Sequence, residues 1–148
     1  MTARAALIPD TYRGFDWTNA VVLDKTQYNS QSGFYTHTGS GSQLMTGAGG
    51  MNITMAVPSA GLTFSVLSFL VKAAWRDNLN LLVEATMANG TTVTHAEVLT
   101  GPFVDPILVT LDGFVNLHNI SFSSYGGTNV MSTIGHGPHL AIDDVLVY

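Results

Sequence analysis

The sequence contains no cysteine, which removes disulfides, thiolate metal sites and cysteine nucleophiles together. Whatever it folds into must be held by its core. Charge is scarce as well, at 10% of residues against roughly 25% in an average soluble protein. Five basic residues stand against ten acidic ones, giving a formal charge of -5. No Lys/Arg cluster could neutralise a run of phosphates, so nucleic acid is not expected as a partner. Long apolar runs are missing too. The best candidate, LTFSVLSFLVKAAW (62–75), is broken by Ser65, Ser68 and Lys72 before reaching the roughly 18 consecutive apolar residues of a membrane span. A soluble protein without a membrane partner is expected.

Catalytic signatures are equally sparse. There is no G-x-S-x-G, His-Glu-x-x-His, P-loop or dinucleotide fingerprint. GAGG (47–50) lacks the strand-then-helix setting of a phosphate loop and reads as a turn. The only glutamates are Glu84 and Glu97, and nothing marks a carboxylate pair at glycosidase separation. The opening MTARAALIPDTY lacks the apolar run and small-residue cleavage site of a secretory signal. As written the chain is expected in the cytosol, and outside the cell if a leader has been removed.

What is present is apolar residues, 46% of 148, enough for one sizeable core and one domain spanning 1–148. They fall in short segments rich in β-branched and aromatic residues, separated by Gly, Asn and Pro. These are AVVLD (20–24), MNITMAV (51–57), LTFSVLSFLVKAAW (62–75), LNLLVEATM (79–87), TTVTHAEVL (91–99), DPILVTL (105–111), FVNLHNISFSS (114–124) and LAIDDVLVY (140–148). Eight candidate strands with turn signals between them predict an all-β fold, an antiparallel β-sandwich of the jelly-roll kind.

Five local readings accompany this. ANG (88–90) predicts a hairpin turn. The Ser/Gly/Thr-rich stretch 26–50 predicts loop, with one short strand around Phe34 to Thr36. For 62–75 a helix competes, because Leu62, Val66, Phe69 and Ala73 recur at helical spacing, yet β-branched and aromatic content favours strand. In 114–124, strict alternation puts Phe114, Asn116, His118, Ile120 and Phe122 on one face and Val115, Leu117, Asn119 and Ser121 on the other. Neither face is cleanly polar, as in a strand whose second face lines a groove. The same rule troubles the last strand: one of Asp143 and Asp144 would share a face with Leu140, Ile142 and Leu146, the other with Ala141, Val145 and Val147.

The segments IPDTYRGFDWTN (8–19), SGFYTHTGSGS (32–42), KAAWRDNLNLLVEA (72–85), LDGFVNLHNISFSSYGGT (111–128) and HLAIDDVLVY (139–148) together resemble small, mostly secreted bacterial and fungal jelly-roll proteins of the galactose-binding-like and carbohydrate-binding-module type. The closing Ala-Ile-Asp-Asp is also similar to that of MAM-type adhesion domains. The resemblance implies a module that binds a small, carbohydrate-like ligand. It also implies a structural calcium held by a last-strand carboxylate, here Asp143 and Asp144, since calcium takes six to eight oxygen ligands. Members of that group carry an early acidic strand, which TARAAL does not supply; Asp10 and Asp16 are the carboxylates nearest to hand. The competing explanation is that one aspartate accepts backbone N–H groups around Gly14 to Trp17 while the other is exposed.

Aromatic candidates for the ligand surface are Trp17, Tyr35, Trp75 and Tyr125, with core packing of Trp17 and Trp75 as the alternative. The histidines are His37, His95, His118, His136 and His139. The histidines are expected to decorate loops at one end of the sandwich, where one donates a proton or a hydrogen bond to a ligand, and His37, His118 and His139 are the ligand-binding candidates among them. A zinc shared by His136 and His139 would still need a third ligand. Arg76 either pairs with Asp77 or anchors an anionic group of the ligand. Beside the binding module stands a cofactor-independent cyclase, isomerase or pericyclase acting on an apolar natural product. Low charge and six methionines suit its pocket, which would need only shape and a proton shuttle. Neither requires a cofactor. A thinly charged sandwich also allows a homodimer.

Overall fold

A computed structural model describes residues 5–9, 11–28, 30, 32–130 and 137–148. They form strands β1 (Ala5–Leu7), β2 (Asp16–Thr18), β3 (Ala20–Asp24), β4 (Gln43–Gly47), β5 (Ile53–Ala56), β6 (Val66–Ala73), β7 (Arg76–Asp77), β8 (Leu79–Met87), β9 (Thr92–Leu99), β10 (Ile107–Thr110), β11 (Leu117–Tyr125), β12 (Thr128–Asn129) and β13 (Leu140–Val147). Each of the eight expected segments holds a strand, and the count rises to thirteen among the described residues. Phe34 to Thr36 is turn rather than strand, and the strand hidden in the Ser/Gly-rich stretch is β4 instead.

The strands pair antiparallel into a six-stranded sheet, β1-β3-β4-β13-β6-β10, and a five-stranded sheet, β2-β5-β11-β8-β9, with a β12-β7 ribbon beside them. Eight of these strands, β4-β13-β6-β10 facing β5-β11-β8-β9, have the jelly-roll order. The chain changes sheet between β4 and β5, between β5 and β6, and at every later step along those eight except the β8–β9 hairpin. That hairpin turns at 88–90, where Gly90 sits at φ 86° and donates its N–H to the Met87 carbonyl at 2.9 Å.

Between the sheets lies the main core. Phe69, Val71 and Ala73 of β6 and Leu140 and Ile142 of β13 meet Leu79, Leu81 and Val83 of β8 and Ile120 and Phe122 of β11, with Phe69 edge-on to Phe122 at 5.1 Å. Each of these side chains larger than alanine stabilises the fold by about 1.5–3 kcal/mol on burial.

Three β-bulges explain the puzzling faces. In β11 the register slips between Leu117 and Asn119, so Leu117, Ile120 and Phe122 all reach the core although strict alternation separates them. The mixed polarity of that strand therefore reports a bulge, not a groove. In β6 an extra residue faces β13 between Val66 and Ser68, which lets both Val66 and Phe69 point inward and counterfeits a helical period. In β13 an extra residue lies between Asp143 and Leu146, and Asp144 adopts φ 50°. Before the bulge Leu140 and Ile142 face the core; after it Val145 and Val147 do. Neither aspartate has to enter it.

The six-stranded sheet carries a second, smaller core on its outer face. Leu23, Leu44, Ala74 and Ala141 are covered there by Phe34 and Trp75, with Tyr28 against them. Residues 32–42 form a strap over this face. Gly33 makes the approach possible: its N–H donates to the Ala74 carbonyl at 2.8 Å, and a Cβ there would stand 1.9 Å from the Ala73 oxygen.

Candidate functional site

Of the concave regions among the described residues, two lie one on each side of β3 and β4. The first follows the open edge of the sandwich, where β2 borders the five-stranded sheet opposite β3, β4 and β13. Three adjoining depressions, of about 170, 310 and 450 Å³, share Tyr12 as a common wall. Tyr12 opens a one-turn 3₁₀ segment, Tyr12–Gly14, in which Arg13 takes φ 57°. That turn lays the Arg13 guanidinium over the Tyr12 ring, 5.6 Å from its centroid.

Trp17 follows on β2 opposite Met55 of β5, so its ring faces inward at the sheet margin. Its indole N–H donates to the Tyr12 carbonyl at 2.9 Å, and Phe15 packs edge-on between Trp17 at 6.4 Å and Phe64 at 5.1 Å. The ring is thus fixed before any ligand arrives. Gln43 of β4 and Asp143 and Asp144 of β13 complete the middle depression.

Asp144 is exposed and accepts both the backbone N–H of Ser40 at 3.2 Å and the Ser40 hydroxyl. Asp143 is half-buried; its Oδ1 accepts the Asp144 N–H at 2.8 Å, and burial raises its pKa. Asp144's donors therefore come from the strap and Asp143's from the Asp144 backbone, not from Gly14 to Trp17. Asp16 is exposed on β2, and Asp10 lies outside the described residues. Among the described residues no group of three or more His, Cys, Asp or Glu side chains could hold a metal. Asp144 fits a clamp to the strap, and a calcium at this pair would need further oxygen ligands from backbone, hydroxyl or water.

The second region lies on the outer face, between the strap and the β3–β4 sheet margin. It is a cleft of about 420 Å³. Trp75 and His139 meet here with Tyr28, Phe34 and Thr46. Phe34 stands edge-on to Tyr28 at 5.0 Å, Trp75 at 5.4 Å and His139 at 6.2 Å. Trp75 is only 6% exposed and belongs to the second core, so it walls the cleft rather than offering a free face. Burial holds the His139 imidazole below its ordinary pKa, and the charge of Arg76 adds to this. His136 lies outside the described residues.

The other expected ligand contacts are scattered. His37 is buried beneath the strap, where Nδ1 accepts the Gly39 N–H at 3.0 Å. Its Nε2 lies toward the Ala141 backbone but outside hydrogen-bond geometry. Burial, and then the charges of Lys72 and Lys25, lower its pKa to about 4. Tyr35 is exposed on the strap, its N–H held by the Ser32 hydroxyl at 3.2 Å. Arg76 donates to the Gly126 carbonyl at 2.8 Å, while Asp77 accepts the N–H groups of Asn78 and Gly101, each at 3.0 Å. His118 Nε2 sits 3.1 Å from the Ala60 carbonyl, and Tyr125 is exposed at the end of β11.

Tyr12 and Gln43, which line the groove, went unmarked as site residues in the sequence, and Lys72 went unmarked as a buried cation. Lys72 is 2% exposed, donates to the Thr36 hydroxyl at 2.8 Å, and is lowered by burial to a pKa of about 8. Only the Tyr-Arg-Gly turn beside Trp17 hinted at Tyr12.

No family model and no curated protein sequence matches the chain. Among the described residues no helix is long and apolar enough to cross a membrane. The solved structures it is similar to include a DUF4465 family protein from Bacteroides caccae, with a TM-score of 0.55 and 10% identity over 91% of this chain and 73% of that one. TmCBM61, solved in complex with β-1,4-galactotriose, has a TM-score of 0.49 and 11% identity over 93% of this chain and 89% of its own. At such identity the likeness to the Bacteroides caccae protein is one of fold, the antiparallel β-sandwich.

Proposed function

We propose that the protein is a binding module whose open-edge groove holds a carbohydrate-like small ligand. One observation carries this reading: the three adjoining depressions share Tyr12, and Trp17, Gln43, Asp143 and Asp144 line the middle one. A sugar presents a C–H face to an aromatic ring and hydroxyls to carboxylates and amides at its rim. Tyr12, 47% exposed, supplies a ring that a ligand can reach. Trp17 supplies a second ring already oriented by its N–H, so less ordering is required on binding. The length of the groove suits several linked sugar units better than one. Calorimetric titration with galactose- and glucose-based oligosaccharides tests this, with Tyr12→Ala and Trp17→Ala as the discriminating variants.

A further inference from the structure

A neutral histidine that accepts a hydrogen bond through one ring nitrogen carries its proton on the other. His37 is in this state beneath the strap: it is 2% exposed, and its Nδ1 accepts the Gly39 N–H at 3.0 Å. A second proton would have to sit on Nδ1, where it would meet the Gly39 N–H donor against donor. The other side of the ring offers no relief, because Nε2 is sealed beside the Ala141 backbone without a hydrogen-bond partner. The closed strap therefore has no place for an imidazolium.

The charges packed around the ring act in the same direction. Lys72 of β6 and Lys25, just after β3, both lie close enough to oppose a positive ring. Lys72 Nζ donates to the Thr36 hydroxyl and Lys25 Nζ to the His37 carbonyl, each at 2.8 Å, so the two ammonium groups are fixed to the strap at the ring itself. From β13, Asp144 is the carboxylate that favours the charged ring, and its oxygens are taken by Ser40. Asp143 lies against Gly39 and within the field of Lys25, and Asp105 acts on Lys72. Burial and the two lysines outweigh Asp144 and hold the ring neutral down to about pH 4, against 6.5 for an ordinary imidazole.

The strap is short between this ring and the open-edge groove. The residue after Gly39 is Ser40, whose N–H and hydroxyl both go to Asp144, and Asp144 lines the middle depression of the groove. Moving Gly39 off His37 thus pulls on the Ser40–Asp144 clamp one residue away.

We propose that His37 is a proton-operated latch: protonation of its ring releases residues 37–40 of the strap and frees Asp144, so that the middle depression of the groove responds to acidity. The latch stands on the strap contacts alone, and only its effect on a bound ligand rests on the carbohydrate reading.

Hydrogen exchange of single amides in the intact protein, followed by NMR and corrected for intrinsic exchange, measures the opening. The window runs from pH 6.5 down to about 4.5, above the ordinary range of an aspartate. Protection at Gly39 and Ser40 is expected to lie well below that of β8 and β11, and to fall by up to about tenfold per pH unit, the slope of one proton. The Ser40 amide reports release of Asp144 directly, since Asp144 is its acceptor. His37→Asn, which keeps a side-chain acceptor for the N–H two residues on and takes no proton, should make strap protection independent of pH. Where that variant does not fold, Lys72→Met carries the test: with one flanking charge gone the closed strap tolerates the proton better, and the acid fall should shrink. Asp143→Asn should leave the fall in place. Strap protection that does not change with pH, equal protection in strap and core, a fall that persists in His37→Asn or undiminished in Lys72→Met, or one that vanishes in Asp143→Asn overturns the proposal.

Discussion

Asp144 accepts two hydrogen bonds from Ser40, 104 positions earlier, and thereby ties the last strand to the strap over the second core. The bulge that places Asp144 at φ 50° is what turns its carboxylate outward to meet that loop. Asp144→Ala is expected to lower stability by about 1–2 kcal/mol, and Asp144→Asn by less, because asparagine tolerates the left-handed backbone and keeps one acceptor. Denaturant unfolding with calcium and with a chelator checks the physical origin. A loss that is the same in both media fits a hydrogen-bonded clamp, whereas calcium-dependent stability absent from Asp144→Ala would mean that the pair holds an ion.

Gly33 is a second point of dependence for the strap. A Cβ at this position would stand 1.9 Å from the Ala73 carbonyl oxygen and 2.8 Å from the Ala74 Cα, both backbone atoms that cannot swing aside. Gly33→Ala is therefore expected to cost about 3 kcal/mol or more, or to lift the strap from Trp75 and Phe34. Gly41→Ala, where a Cβ would meet open space but φ is 64°, is expected to cost about 1 kcal/mol. Equal losses in the two variants would contradict the close packing of strap on sheet.

Stability should rise with pH in two separate windows. His37 keeps its neutral form in the fold down to about pH 4, whereas the unfolded side chain takes a proton near 6.5. Its contribution is thus complete above 6.5 and is lost as pH falls toward 4, by about 3 kcal/mol at most. His139 acts in the same direction. Asp143, whose pKa is raised, opposes both: it favours the fold at low pH and gives that up as it ionises. Lys72 is the alkaline counterpart, because burying its charge is relieved between about 8 in the fold and 10.5 in the unfolded chain. Unfolding free energies measured across pH should show a shallower acid slope in His37→Leu, with the part due to His139 remaining, and should lose the alkaline slope in Lys72→Met. A wild-type profile flat from pH 8 to 10.5 would contradict a buried, charged lysine.

Strand identity was legible in the sequence wherever β-branched and aromatic residues were dense, and β3 and β8 were read to the residue. β4 was not, because QLMTG sits among Ser and Gly and is stabilised by two neighbouring strands rather than by its own propensity. Bulges were the other obstacle. Period-two reasoning assumes an unbroken ladder, and in β6, β11 and β13 one extra residue shifts every side chain beyond it to the other face. The aspartate pair marked such a site without revealing it. Of the expected ligand contacts, Trp75 and His139 come together in the cleft, and Trp17 joins Asp143 and Asp144 in the groove. Their grouping depends on sheet order, which no local pattern encodes, and Tyr12 becomes visible as a wall only when β2 is seen at the margin.

The groove itself is most directly tested by calorimetric titration of the intact protein with the oligosaccharide panel. At least one neutral oligosaccharide should bind saturably, and Tyr12→Ala and Trp17→Ala should each weaken it by about tenfold, the loss of one aromatic platform, when titrated below the melting temperature of each variant. No saturable binding across the panel, or binding that survives both substitutions unchanged, would contradict a carbohydrate site at Tyr12 and Trp17.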